Sequence, residues 1–196
     1  MHPTKRLLML TVSSMLDSDH PYDVLVENVL KQSGVSKGSL YHHFKDYPEL
    51  VEQTLAWRFS QGVDESIEMM RSVRDEASNP DEFWQGIEHL TLYSQAPERA
   101  KFRAERARII GMAAANDRFG PMLAGEQDRM TNAITEIIRD VQTRGWVNTA
   151  VDPRALAVFI QSYTLGRTID DIAGEHVSAE AWTNLIRSVT QAFRSN

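Results

Sequence analysis

The stretch from Gly34 to Asp46, GVSKGSLYHHFKD, restricts the possible folds of this chain more than any other. A short amphipathic segment, Val24 to Gln32, leads into it, and a long helical one begins near Pro48. A short helix, a glycine turn and a second short helix opening on a serine make a helix-turn-helix. Ser36 is placed to cap that second helix by accepting a hydrogen bond from a backbone N–H near Ser39. On a 3.6-residue period Leu40 and Phe44 share one face and bury it against the preceding helix. The opposite arc then carries Gly38, Ser39, Tyr41 and His42, flanked by Lys37 and His43. Short donors, a phenol, imidazoles and a cation suit a helix that reads a major groove, and Gly38 allows the backbone close to the duplex.

Gly34-Val35-Ser36, Gly38-Ser39, Leu40-Tyr41, Phe44 and Lys45 together resemble the recognition unit of the TetR/AcrR family of transcriptional regulators. The motif covers about a dozen residues; the rest of the chain agrees with the family in length and helical layout alone. The resemblance implies an all-α fold, with a three-helix DNA-binding head over residues 1–47 and a helical effector-binding and dimerisation body over 48–196. About nine helices are expected in all. It further implies a ligand-responsive regulator, a repressor, that binds a palindromic operator in double-stranded DNA as a homodimer. Lys37, Gly38, Ser39, Tyr41, His42, His43 and Lys45 are its expected DNA contacts. If His42 must be protonated to make its contact, affinity should rise as pH falls through roughly 6.5.

Composition sets the outer bounds. Apolar residues make up 42% and charged residues 24% of the 196 positions, an ordinary globular balance. The absence of cysteine removes disulfides, thiolate zinc sites and cysteine nucleophiles together. No apolar run approaches the roughly 18 residues of a membrane span, and the start, MHPTKRLLML, lacks a signal-peptide cleavage site; a cytoplasmic protein is expected, with no membrane partner. The net charge of −6 opposes non-specific binding to phosphates. Residues 1–47, however, hold five cations and five acids, so the acidity belongs to the body. A neutral head on an acidic body fits a protein that meets DNA through one end, with modest affinity per head.

Along the chain, Thr4–Leu16 is apolar widely enough to be buried on more than one side. His20-Pro21 ends that helix and Tyr22 is expected to pack behind the break. The second helix departs from the family pattern, with Val24 and Leu25 where a serine or threonine commonly caps; Asp23 is the available cap, and Glu27 adds a second acid. Pro48 and Glu49 open a long helix whose apolar spacing runs to about Ser72, roughly 35–40 Å at about 1.5 Å per residue. In the family that helix transmits effector binding to the head.

In the body, Asp81–Ser94 forms a helix, and Pro97 starts another with the run Arg99, Lys101, Arg103, Arg106 and Arg108. That run reads as a solvated face or, since Arg99, Arg103 and Arg106 share one side, as a site for an anionic effector. A helix from about Met122 to Thr143 stops at Gly145. Asp152-Pro153 opens another, which Gly174 closes, and Ser178 caps the last. The penultimate helix is apolar on two sides, so one side meets its own core and the other an identical helix across a two-fold axis. Val158, Ser162, Leu165, Gly166 and Ile169, with Trp182, Leu185, Ile186, Val189 and Phe193, are the expected dimer interface. An unknown small-molecule effector is assigned an aromatic and methionine-lined pocket of Trp84, Tyr93, Phe102, Met112, Phe119, Met122, Phe159 and Tyr163.

Enzymatic readings find little support. His42 and His43 are adjacent and diverge by about 100°, the wrong spacing for a helical metal site, and His89 and His176 are isolated. No phosphate-cradling glycine loop or nucleophile motif is present, so no catalytic residue, cofactor or metal is expected. The remaining rival is a helical bundle that binds ligands or proteins and not DNA. That reading leaves the polar arc opposite Leu40 and Phe44 without a purpose.

Overall fold

The computed structural model describes residues 1–195, which form nine helices of seven residues or more, one single-turn helix and a short 3-10 turn. Among these residues the sole β pairing is an isolated antiparallel bridge between Val147 and Arg194. Helix α1 (Pro3–Met15) starts on His2, whose ring accepts the Thr4 N–H. It buries Leu8, Met9 and Val12, whereas Leu7 and Leu10 stay exposed. A single buried face therefore replaces the broader burial expected, and α2, α3 and α4 pack on it.

Helix α2 (Val26–Ser33) begins two residues later than its apolar spacing suggested, and no side chain caps it. Asp23 is instead in the preceding turn, its backbone N–H bonded to His20. Gly34 ends α2 at φ 67°, a left-handed conformation that needs no Cβ. Helix α3 (Lys37–His43) follows, with the Ser36 hydroxyl accepting the Ser39 N–H at 3.2 Å as the serine cap requires.

Tyr22 corrects the expectation that it packs behind the break: it is 78% exposed. Tyr47 takes that place, donating its hydroxyl to the Val24 carbonyl at 2.6 Å. That bond supports the uncapped entrance to α2 from the first residue of the next helix.

Helix α4 (Tyr47–Glu76) is capped by Asp46, whose carboxylate accepts the Glu49 N–H. At 30 residues it spans about 45 Å, starting beside α3 and ending deep in the body. Against it pack α5 (Pro80–Gln95), α6 (Ala100–Ala114) and α7 (Phe119–Thr143), with α8 (Pro153–Gly166) on α7 and α10 (Ala179–Gln191) on α5. The α4–α7 pair forms the spine of the body, burying Val63, Ile67, Met70, Ile134, Ile137, Ile138 and Val141. Neighbours approach α4 closely at two places. A methyl on Gly62 would stand 2.9 Å from Phe102, and one on Gly86 would stand 2.8 Å from Val73.

Two boundaries differ from the sequence reading. Helix α7 begins at Phe119, since Pro121 in its first turn needs no N–H donor there. The segment after Asp152 does not run to Gly174: α8 ends at Gly166, and a single turn, α9 (Thr168–Asp171), follows. Gly145 at φ 74° closes α7, and Asp152 and Ser178 cap α8 and α10 as the sequence indicates.

Burial pushes the Tyr47 phenol up to about 12, so it stays protonated in the folded chain above the ordinary tyrosine value of about 10. A group with a raised folded pKa stabilises below its unfolded value, and that contribution is lost as pH rises through 10 to 12. Tyr47→Phe should lose about 1 kcal/mol at neutral pH through the missing hydrogen bond. Its stability should then fall less steeply than wild type between pH 10 and 12, as read by denaturant unfolding.

Candidate nucleic-acid interface and the cavity behind it

The outward face of α3 presents Lys37, Gly38, Tyr41 and His42 to solvent, with Ser39 and His43 half-buried at its edges and Lys45 exposed just beyond. Its inner face is fastened by Leu40 and Phe44, both inaccessible. The Lys5 ammonium stands 5.1 Å from the Phe44 ring centroid, adding a cation from α1. His2 joins the same surface: its ring lies 4.5 Å from that of His43, which lies 5.1 Å from that of His42. Partial burial, then the charges of His2, His42 and Lys5, hold the His43 pKa below the usual imidazole value. Three imidazoles and three lysines thus crowd one end of the molecule. His2 was outside the sequence-derived set because it lies 41 positions before His43, and only the fold brings the two rings together.

Directly beneath α3, Asp46 and Glu52 are gripped by one guanidinium. Arg118 donates from Nε and Nη2 to Glu52 at 2.6 and 3.0 Å, and from Nη1 to Asp46 at 2.8 Å. Glu52 is almost fully buried and also accepts from Asn116 at 2.9 Å. Asn116 Oδ1 in turn receives the N–H groups of Arg118 and Phe119, fixing the start of α7. Hydrogen bonding to Arg118, first of all, holds the Asp46 carboxyl below the usual carboxylate value. A second clamp lies on the other side of α4. Arg58 binds Glu105 of α6 at 2.6 and 3.1 Å and reaches Asp17 and the Ser13 carbonyl of the head at 2.8 and 2.7 Å.

Behind the head, the body encloses a cavity of about 130 Å³. Of the residues assigned to an effector, Trp84, Tyr93, Phe102, Phe159 and Tyr163 line it. Met112, Phe119 and Met122 do not. They lie at the end of α6 and the start of α7, next to the Arg118 junction, with Phe119 fully buried there. Arg99 and Arg106, from the arginine run, are in the wall. The solvated-face reading of that run therefore fails for three members. Arg103 is buried and makes a two-point pair with Asp171, both contacts at 2.7 Å, while its Nη1 donates to the Ser94 and Ala96 carbonyls. Arg99 packs on the rings of Tyr93 and Phe102 and meets Glu65 at 3.2 Å.

On the far flank an apolar strip is open to solvent. Val158 and Ser162 of α8, Ile169 and Ile172 around α9, and Leu185 of α10 are exposed, with Ile169 at 78% and Ile172 at 81%. Leu165, Gly166, Trp182 and Val189 are half-buried beside them. Two residues expected on this face turn the other way. Ile186 is buried against its own protomer, and Phe193 packs edge-on to Phe159 at 5.7 Å and lines the cavity. The short link between α10 and the α7–α8 loop, where Asn148 donates to the Phe193 carbonyl at 2.8 Å, sets that rotation.

Among the described residues no helix is long and apolar enough to cross a membrane, and no cluster of histidines and acids forms a metal site.

Residues 10–54 match the bacterial regulatory proteins, tetR family. Solved structures share the fold over nearly the whole chain. A tetR-family transcriptional regulator of Pectobacterium atrosepticum is 20% identical, covering 98% of this chain and 95% of its own, with a TM-score of 0.68. A protein of Mesorhizobium loti assigned to the same family is 17% identical over 97% and 94%, with a TM-score of 0.71. A transcriptional regulator of Saccharomonospora viridis, in complex with choline, is 14% identical over 98% and 97%, with a TM-score of 0.67. No curated protein sequence matches the chain.

Removing the guanidinium beneath α3 tests the junction by stability. Arg118→Met leaves Glu52 buried with Asn116 as its remaining partner. Because Arg118 is itself about a third exposed, the protein should be destabilised, though by less than when one partner of a fully buried pair is removed. Equilibrium unfolding unchanged from wild type would show that Glu52 needs no cation.

Proposed function

We propose, from the match of residues 10–54 to the tetR family of bacterial regulatory proteins, that the chain is a cytoplasmic, non-catalytic transcriptional repressor that binds a palindromic operator as a homodimer. Residues 1–47 act as the head and 48–196 as the effector-binding and dimerisation body. The observation that carries this reading is the outer face of α3. Lys37, Ser39, Tyr41 and His42 stand clear of the core on a helix capped by Ser36 and anchored by Leu40 and Phe44. Such a helix enters a major groove with its first turns leading. Lys5, Lys45 and the His2–His43 pair border it and can meet phosphates.

The exposed strip of Val158, Ile169, Ile172 and Leu185 supports a two-fold interface, since contiguous apolar patches on a soluble surface mark contacts with a partner. Two-fold pairing sets the recognition helices about one DNA turn, or a multiple, apart. A small molecule in the cavity bordered by Trp84, Tyr93, Phe102, Phe159 and Tyr163 favours the arrangement that does not fit that spacing. The two arginine clamps, Arg118 on Asp46–Glu52 and Arg58 on Glu105–Asp17, supply its route to the head.

Selection from a random duplex library at fixed salt tests the reading. Wild type should enrich a palindrome, and Tyr41→Ala should weaken binding to it by about 1–3 kcal/mol. No enrichment by folded, dimeric protein would favour a bundle that binds ligands alone. Proton linkage adds a second test. Duplex phosphates would oppose the positive charges of His2, His42 and Lys5 that, after burial, depress His43, and so favour its protonated form on DNA. Operator affinity should therefore rise as pH falls through and below the ordinary histidine value of about 6.5. Flat affinity between about pH 5.5 and 8 would remove the idea that a histidine must be protonated to contact DNA.

A further inference from the structure

The cavity wall holds two arginines, Arg99 and Arg106, and no aspartate or glutamate, in a chain with 27 acidic residues. Glu65 answers the charge of Arg99. Among the described residues nothing answers Arg106. Its Nη2 donates to Gln127 Oε1 at 3.3 Å and lies 3.1 Å from the Met130 sulfur, while its plane rests 4.6 Å from the Phe59 ring centroid. Neither contact carries negative charge. The adjacent carboxylate, Glu105, is committed to Arg58 through both of its oxygens. Burial pushes the Arg106 guanidinium down to about 10, as for a half-buried cation without a counter-charge. An uncompensated buried cation is costly, and ordinary packing would use a leucine or methionine at this position.

Position adds to charge. Arg106 and Phe102 line both the inner cavity and the open cleft formed with Trp57, Gly62 and Glu65, so they stand between the two. The inner space continues past Arg106 between Trp84, Ile137, Ile160 and Phe159 toward the Thr91–Tyr163 hydroxyl pair, which is 3.1 Å apart. Its volume of about 130 Å³ is close to that of cavities that admit a single benzene ring, about 150 Å³.

We propose that this cavity binds a small amphipathic carboxylate, an aromatic or short branched acid, with its anionic head on Arg106 and its apolar body among Trp84, Ile137 and Phe159. The proposal rests on reading the cavity as the effector site and specifies the ligand's charge and size. A guanidinium meets a carboxylate through two parallel hydrogen bonds, and Arg106 Nε and Nη1 make none within the described chain. A cation such as choline would be repelled here, whatever a related fold accommodates. The head group also lies one residue from the clamp to the head: Arg106 shares α6 with Glu105, which holds Arg58 against Ser13 and Asp17. Drawing Arg106 inward pulls on that clamp.

Calorimetry on the full chain with phenylacetate and benzoate, against phenylacetamide and benzamide, is the test. Each pair matches in shape and differs in charge. Wild type should bind the acids about tenfold or more tightly than the amides, the range for hydrogen bonds to charged groups. Arg106→Met should erase that preference while melting at or above the wild-type temperature. Equal affinity for acid and amide in wild type overturns the proposal without recourse to a variant, as does failure of all four compounds to bind folded protein. Retention of the preference in Arg106→Met overturns it too. Operator selection distinguishes the two levels. Protein that enriches an operator yet prefers amides sinks the anion assignment alone, whereas acid binding without operator enrichment sinks the regulator reading and leaves the site.

Discussion

Arg118 holds the molecule together at its waist. Its guanidinium joins Asp46, the cap of α4 immediately after the α3 segment, to Glu52 one and a half turns along, from a position at the entrance to α7. Glu52 is buried, so its charge is tolerable only while Arg118 and Asn116 stay in place. The same contacts order the α6–α7 connection, because Asn116 caps the two N–H groups that open α7. Helix entry, buried charge and the seat of α3 are therefore one interlocked arrangement. Directional hydrogen bonds permit few geometries there, in contrast to a purely apolar joint, which would slide.

Charge is distributed with the same economy in the body. Arg103 ends α5 by donating to the Ser94 and Ala96 carbonyls and secures α9 through Asp171. Arg99 lies flat on two aromatic rings and Arg58 spans three elements. In the run that looks like a solvated helix face, Arg99 and Arg103 turn inward and meet carboxylates, while Lys101 stays exposed. Against that pattern Arg106 stands apart: among the described residues it pairs with no carboxylate.

What could be read beforehand was local. Gly34, Ser36, Leu40 and Phe44 lie within eleven positions, and turn, cap and buried stripe follow from backbone geometry alone. Gly145, Asp152 and Ser178 mark helix ends for the same reason. Contacts between distant segments were not legible. Arg118 and Glu52 are 66 residues apart and Arg103 and Asp171 are 68 apart, and a charge in a sequence does not announce its partner. Periodicity also shows that α10 has an apolar stripe without showing how far it is rotated. So Ile186 and Phe193 turned inward, while Leu185 remained outside. Tyr22 and Tyr47 exchanged roles because the second begins a helix that returns to the break and the first does not.

The contact of Phe102 with Gly62 gives α4 the mechanics of a lever. The ring tip lies so close to the glycine backbone that a methyl there would stand 2.9 Å from it, which makes this crossing of α4 and α6 a point about which a tilt can be reckoned. Pro48, at the α3 end, is 14 residues away, about 21 Å along the axis. A tilt of about 5° about such a fulcrum moves the far end by roughly 2 Å, over the length set by the helix rise. Because Phe102 is also part of the cavity wall, that crossing and the cavity share a surface, and a molecule that tilted the helix there would move its far end over the longer arm.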